Sequence, residues 1–341
     1  KMSDQYSTTG TTPNYQGLLF EAARQKTPFL SMIGGLGNGR ITTNQEFPTA
    51  VLYSTEAAEQ PAISETASMT APEITSVVRS QNTNTAQIFQ YAFGVSYNRL
   101  ANSGRLASDA KSLTAGIGIQ QPDEMAFQRS AKLQKLAKDL EYTFLNGTYQ
   151  NAANDSTAAK TRGMLELCAS GTTVSAGNAD ITIDMIEELV IKMFEAGAEF
   201  SQPVLFCSAR VRKQISDLYA KIYGATLPAS RTVGGYAIDT IVTTQAQLGI
   251  VQDFYMPNDK ILIADLAYIS PVFMSVPGKG TVFFEELAKT GAATKMMLYA
   301  TVGLAHGPSF LHGSITGLKT AAEESLEAKV GKAKVGQAKA A

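Results

Sequence analysis

The sequence predicts an α+β fold in which most strand pairing is non-local. Three observations carry that expectation. One long helix is written between Gln121 and Asn146, a series of strand-like segments follows residue 234, and the regular strand–helix alternation of a doubly wound sheet is missing. Pro122 suits a first helical position, and Asp123 and Glu124 put negative charge beside the exposed amides of the first turn. Met125, Leu133, Leu136, Leu140 and Phe144 recur at threes and fours as one apolar stripe, with Arg129, Lys132, Lys135 and Lys138 off it. Asn146-Gly147 reads as a left-handed stop. At the helical rise the 121–146 rod spans about 39 Å, the width of a small domain.

Composition narrows the function classes. Of 341 residues 44% are hydrophobic, enough for a substantial core and one to three domains. Lys and Arg total 29 against 30 Asp and Glu, so the basic excess of a sequence-reading nucleic-acid protein is missing. Cys168 and Cys207 form neither a metal spacing nor a disulfide framework and fit a reducing interior. The polar start KMSDQYSTTGTTPNY lacks the apolar core of a signal peptide, and Lys1-Met2 reads as a product of processing or expression. No apolar run is long enough to span a membrane as a helix.

Residues 1–46 are rich in Thr, Ser, Gln and Gly, with an amphipathic patch at 17–26. Phe29, Leu30, Met32 and Ile33, between Pro28 and a glycine cluster, read as the anchor of an extended arm that lies on another subunit or domain. From Phe47 to Tyr97 there is no lysine, and no glycine before Gly94. The middle of that stretch is acidic and punctuated by proline. Its return limb, 87–95, alternates with Phe89, Tyr91, Phe93 and Val95 on one face. A projecting hairpin fits the stretch. Residues 99–121 are a connector leading into the long helix. Thr182 caps a second helix stopped by Gly197, Pro203–Cys207 is a buried strand, and Ala209–Tyr223 a third helix. AIDTIVTT, KILIAD, ISPVFM, TVFFEELA, TKMMLYATVGLA and FLHGSITGL are strand candidates. An Ala/Lys-rich tail from Lys319 repeats AKVG and reads as solvated or loosely helical, with nucleic-acid contact the sharper alternative.

Motifs that would carry catalysis are weak. GGLGNG at 34–39 lacks the strand before it and the helix after it that a phosphate cradle needs, and reads as a bend. Gly278-Lys279-Gly280 is a turn. His306 and His312 flank Gly307-Pro308 at a spacing that does not suit a helical metal pair. Glu187-Glu188 and Glu285-Glu286 point to different sides of their elements and read as solvated faces. The chain therefore reads as a non-enzyme without a cofactor or metal, a hydrolase with a dispersed active site being the remote alternative.

Several short stretches, in order, carry a resemblance: Thr27-Pro-Phe-Leu-Ser with its glycines; Gln87-Ile88-Phe89 leading to Val95-Ser96; Lys138-Asp139-Leu140-Glu141; Thr161-Arg162-Gly163; Leu287-Ala-Lys-Thr-Gly291; and Ala305-His306-Gly307. Their order and spacing, from about Gly17 to Leu318, resemble the major capsid (major head) proteins of tailed bacteriophages, which have the Hong Kong 97 fold. The resemblance implies an N-arm at 1–46, an E-loop at 47–97, and a P domain at 98–182 containing the spine helix. It implies an A domain at 183–265, strands returning to the P domain at 266–318, and a tail at 319–341 beyond the match. The chain departs from the pattern in having no tryptophan, where one is expected near Phe47-Pro48.

By the same resemblance the chain forms hexamers and pentamers that close into an icosahedral shell around double-stranded DNA, held by non-specific contact, with portal, scaffold and cement proteins as further partners and no membrane. The shell would be assembled in the host cytoplasm. Some shells of this fold are locked by Lys–Asn isopeptide bonds from the E-loop; no lysine lies between Lys26 and Lys111, which implies a shell held non-covalently. Candidate contacts between subunits are Phe29 and Leu30 in the arm and Arg79 in the loop limb. Charge complementarity adds Glu56, Glu59 and Glu65 against Lys132, Lys135 and Lys138 of a neighbour. An encapsulin-like compartment shell is the alternative within the same fold.

Overall fold

The computed structural model describes residues 26–54, 57–71, 74–98, 124–169, 171–223, 229–233 and 236–320. Side chains of residues 221–238 are outside that description. Positions 17–25 of the expected amphipathic patch, the 99–121 connector, the helix start at Pro122-Asp123 and the tail beyond Thr320 therefore lie outside the described residues.

Two sheets and a hairpin organise the chain. In the first sheet the order is β1 (Arg40–Thr42), β11 (Ser270–Met274), β13 (Ala293–Ala305), β12 (Val282–Glu286), with β4 (Gln87–Ser96) also paired to β13. The second has seven strands in the order β5 (Thr172–Ser175), β14 (His312–Thr316), β10 (Lys260–Asp265), β6 (Pro203–Cys207), β9 (Gln247–Gln252), β8 (Tyr236–Val242), β7 (Ala229–Val233). β2 (Glu46–Tyr53) and β3 (Arg79–Thr85) form an antiparallel hairpin of their own. Its register shifts between Pro48 and Ala50, beside a proline that has no N–H to give a ladder.

The sequence assigns 87–95 to the return limb of the hairpin. Its alternation is real, but β4 pairs with β13 from Gln87↔Val302 to Ser96↔Ala293. The return limb is β3, which is polar (RSQNTNT) and carries little hydrophobic signal. β14, in the stretch expected to return to the P domain, pairs with β10 and β5 in the seven-stranded sheet.

The buried strands explain themselves by which core they feed. Val204 and Phe206 of β6 and Leu262 and Ala264 of β10 face one core. The long helix α3 (Glu124–Asn146) and the short α4 (Met164–Ala169) share it, through residues such as Leu140, Phe144, Met164 and Leu167. Leu205, Cys207, Ile261 and Ile263 face the other, covered by α5 (Ile183–Glu195) and α6 (Ala209–Tyr223). A sheet dry on both faces needs continuous apolar runs, which PVLFC and KILIAD are. Thr182 caps α5 by accepting Met185 N–H, and Gly197 at φ 98° ends it.

The short helix α1 (Pro28–Met32) sits inside this body. Phe29 and Leu30 are 0% and 3% exposed, and the Phe29 ring meets Phe206 edge-on at 5.2 Å. The expectation that they anchor an arm on another subunit is corrected here: they fill the chain's own core and leave no surface for a neighbour. Burying Phe29 and Leu30 places their backbone N–H groups in the interior as well, and both donate to Glu141 of α3, at 2.8 and 2.6 Å.

The end of α3 is a second correction. Neither Asn146 nor Gly147 is left-handed. Gly147 is required by proximity: a Cβ there would lie 2.4 Å from Thr143 O and 2.8 Å from Thr161 O. At Gly163 it would lie 2.5 Å from Gly147 N, where Gly163 N–H donates to Gly147 O at 2.9 Å. Thr161-Arg162-Gly163 is thus the place where two backbones touch at the helix end. Gly163→Ala is expected to cost about 1–3 kcal/mol in urea unfolding; unchanged stability would refute the close-contact reading.

Candidate assembly interface

The β2–β3 hairpin is rooted firmly and is exposed along its length. At the root Phe47 lies over Gly303, where a Cβ would come within 2.6 Å of its ring, and Phe47 is buried with Ala86, Val272 and Ala305. Asn84, fully buried, joins three segments. Its Nδ2 donates to Leu304 O at 2.8 Å and Arg162 O at 3.3 Å, and its Oδ1 accepts Thr85 N–H at 2.9 Å and Arg162 N–H at 2.8 Å. All four bonding positions of the amide are used, so the side chain cannot rotate without leaving buried polar groups unpaired.

Beyond the root the apolar residues have no cover within the described chain. Val51, Tyr53, Ile63, Met69, Ile74, Val77 and Val78 are all more than half exposed, Ile74 completely. A folded chain does not normally leave so many large apolar side chains on one projection unless another surface meets them. Between them, Ser64 caps the short helix α2 (Glu65–Ser68) by accepting Ala67 N–H at 3.1 Å. Glu59, Glu65 and Arg79 are exposed on this projection, and Glu56 lies outside the described residues.

On the body, Gln87, Ile88, Tyr91, Asp139, Tyr142 and Thr143 line a groove of about 320 Å³ between β4 and α3. Ile88 and Tyr142 are exposed beside it. Tyr142 meets Tyr255 edge-on at 6.2 Å, and Tyr255 meets the exposed Phe254 at 5.6 Å, which continues the apolar surface. Sequence reasoning misses this band, because Phe254 and Tyr142 lie far apart in the chain and neither follows a strand or helix period with the other. Of the three lysines, Lys135 is exposed while Lys132 and Lys138 are half-buried. Lys135 is already engaged in its own helix: Nζ lies 2.5 Å from Asp139 Oδ1, and Tyr91 donates to Asp139 Oδ2 at 2.5 Å. Burial, and then Asp139 beside it, push the Tyr91 phenol well above its ordinary range.

The histidines of the remote hydrolase reading are fully buried and bound to backbone. Asp265 N–H donates to His312 Nδ1 at 3.2 Å, so His312 donates through Nε2 to His306 O at 2.6 Å. His306 Nδ1 is 2.8 Å from Gly307 O. Burial lowers both to about 4, against a partial raising by these carbonyl contacts. The arrangement holds two segments of backbone together and presents no ring to solvent. Among the described residues no three His, Cys, Asp or Glu side chains converge on a possible metal position, and no helix is long and apolar enough to cross a membrane.

The buried histidines make one prediction. Their folded values lie below the ordinary 6.5, so their stabilisation is complete above that pH and is lost as pH falls towards about 4. His312→Gln keeps one acceptor and one donor but cannot be protonated there. Its unfolding free energy is expected to fall less than the parent's across that window, by a difference on the order of 1–3 kcal/mol; parallel curves would overturn the assignment.

Comparison with known proteins sets this geometry among relatives. The model of the SU10 major capsid protein family matches residues 2–319. No curated protein matches the chain in sequence. Among solved structures, the capsid of cyanophage A-1(L) is similar with a TM-score of 0.62 at 11% identity, covering 89% of this chain and 96% of that one. The capsid of a native GTA particle gives 0.56 at 12% identity over 92% and 97%. A holo-SrpI encapsulin from Synechococcus elongatus gives 0.53 at 12% over 88% and 93%. At these identities the structures speak for a common fold, the Hong Kong 97 fold, and the family match speaks for the chain itself.

Proposed function

The chain belongs to the SU10 major capsid protein family, and from that premise we propose how its parts divide the work of building a shell. It is a major capsid protein, which self-associates into the capsid of a tailed-phage virion. The family match over 2–319 is the observation that carries this. In the proposed division the 46–85 hairpin is the E-loop, α3 the spine helix of the P domain, and the seven-stranded sheet the centre of the A domain. The hairpin reaches across to a neighbouring copy. Its exposed apolar residues and acidic Glu59 and Glu65 lie over the neighbour's α3 surface, where Lys132, Lys135 and Lys138 carry the opposite charge. Arg79 belongs to the same contact from the other limb.

Such a contact is heterologous, since different patches of the same chain meet, and it closes a ring when the rotation between copies closes. Many weak contacts acting together then hold the shell without covalent links. The contents are double-stranded DNA gripped non-specifically, with portal and scaffold proteins as the other partners and assembly in the host cytoplasm. An encapsulin-like shell shares the fold, and its contents would differ: protein cargo in place of a genome.

Concentrated native protein is expected to show closed polyhedral particles or ring capsomers by negative-stain electron microscopy, with strong absorbance at 260 nm. Denaturing gels should give a single band at 36.3 kDa. A persistent monomer, or a ladder of cross-linked multimers, would sink the respective parts of the proposal, and protein cargo without nucleic acid would favour the compartment. Lys132→Glu should lower particle yield at least about tenfold, and Glu65→Lys in the same chain should restore it in part. Failure of the second change to rescue would remove this pair from the interface.

A further inference from the structure

Glu141 and Asp253 meet in the interior, and their surroundings call for one more proton than two carboxylates carry. Both oxygens of Glu141 already accept an amide, from Phe29 and Leu30 of α1. Asp253, 1% exposed, follows β9. Its Oδ1 accepts Tyr255 N–H at 2.7 Å, and its own N–H donates to Cys207 O at 2.9 Å. Its Oδ2 is buried and has no donor among the described residues, although the side chain lies against Glu141. An acceptor buried without a donor beside a second carboxyl is relieved when one proton is shared, and Oδ2 is the atom placed to carry it. Burial first, and then Asp253, raise Glu141 to about 10; burial also raises Asp253, against a lowering by Glu141 and by the Tyr255 amide, so the extra proton belongs to the pair.

Helix α1 depends on this acceptor. It has five residues, Thr27 makes no side-chain cap, and its first turn contains no acidic residue. Glu141, more than a hundred positions later, supplies both the acceptor and the polarity that the helix N-terminus lacks. We propose that the Glu141–Asp253 pair is a proton-coupled latch that fastens α1 to the body of the subunit. Loss of the shared proton leaves two buried negative charges facing each other. Glu141 is fixed in a 23-residue helix and Asp253 is tied to β6, so the five-residue α1 is the element that gives way.

Other charges around the pair do not replace the proton. α1 has no ionisable side chain from Pro28 to Met32. On β6, Cys207 meets Asp253 through its backbone carbonyl, and burial pushes its thiol, which belongs to the α5/α6 core, up to about 12, so it stays neutral. Arg212 beyond it is paired with Asp239. Tyr255 contributes its amide, and Lys138 lies one turn away on α3. The sign is that of a raised acid: docking is strongest below the ordinary carboxylate range and weakens as pH rises above it.

Hydrogen exchange read by mass spectrometry on the full chain tests this. Protection of peptides spanning 27–33, corrected for intrinsic exchange, should fall as pH rises above the ordinary carboxylate range, by up to about tenfold per pH unit, the limit for release of one proton. Peptides from α5 should hold their protection. Asp253→Asn donates to Glu141 at every pH and should flatten the profile. Glu141→Gln, which turns a donor towards one of the two amides, should lower protection at every pH. A parent profile that is flat across the range, or an Asp253→Asn profile as steep as the parent's, overturns the latch. The parent profile decides alone if the Asp253 variant does not fold.

Discussion

Strands β6 and β10 are wetted on neither face, and this constraint governs the rest of the subunit. Alternate residues feed opposite cores: Val204, Phe206, Leu262 and Ala264 on one side, Leu205, Cys207, Ile261 and Ile263 on the other. Each face needs its own cover. α5 and α6 close one of them. α3, α4 and the first sheet close the other, and they leave a gap that α1 fills with Phe29, Leu30 and Ile33. The burial of a short N-terminal helix is therefore a demand of the sheet, and the buried amides of that helix in turn demand Glu141.

Local structure is legible where one residue decides it. Thr182 and Gly197 bound α5, Ala209–Tyr223 forms as read, and Gly278-Lys279-Gly280 turns with both glycines at positive φ. KILIAD and PVLFC announce burial on both faces by having no polar alternation. What stays hidden depends on partners distant in sequence. β4 alternates as an edge strand of a hairpin would, yet its partner is β13, some two hundred residues on. β9 escapes a reading by pattern: QLGIVQ is short and bounded by glutamines. Gly147 looks like a left-handed stop until Thr161 is brought beside it.

The candidate interface is legible by its charge and composition and not by its geometry. Glu59, Glu65 and Arg79 stand exposed where an unpaired acidic loop suggests they would, while Phe29 and Leu30 turn inward because apolar residues bounded by Pro and Gly look alike in an arm and in a core. Glu141 does leave a trace. Ala137, Glu141 and Leu145 run at fours beside the apolar stripe, so a carboxylate falls within a face that is otherwise buried. A charged residue at such a place asks what it bonds, and the answer lies in α1 and after β9.

The hairpin runs into β4 through Ala86 alone, since β3 ends at Thr85 and β4 begins at Gln87. β4 then runs antiparallel to β13 over ten consecutive pairs, Gln87↔Val302 to Ser96↔Ala293. A pull on the hairpin in line with β4 would draw that strand along its own axis. In that direction the rungs of the ladder are strained together, as in a lap joint under shear, whereas a pull across the strand would open them one after another like a zip. Asn84 and Phe47 keep the first rung from being peeled sideways. The subunit thereby has a mechanical grain, stiff along the β4–β13 ladder and weak across it.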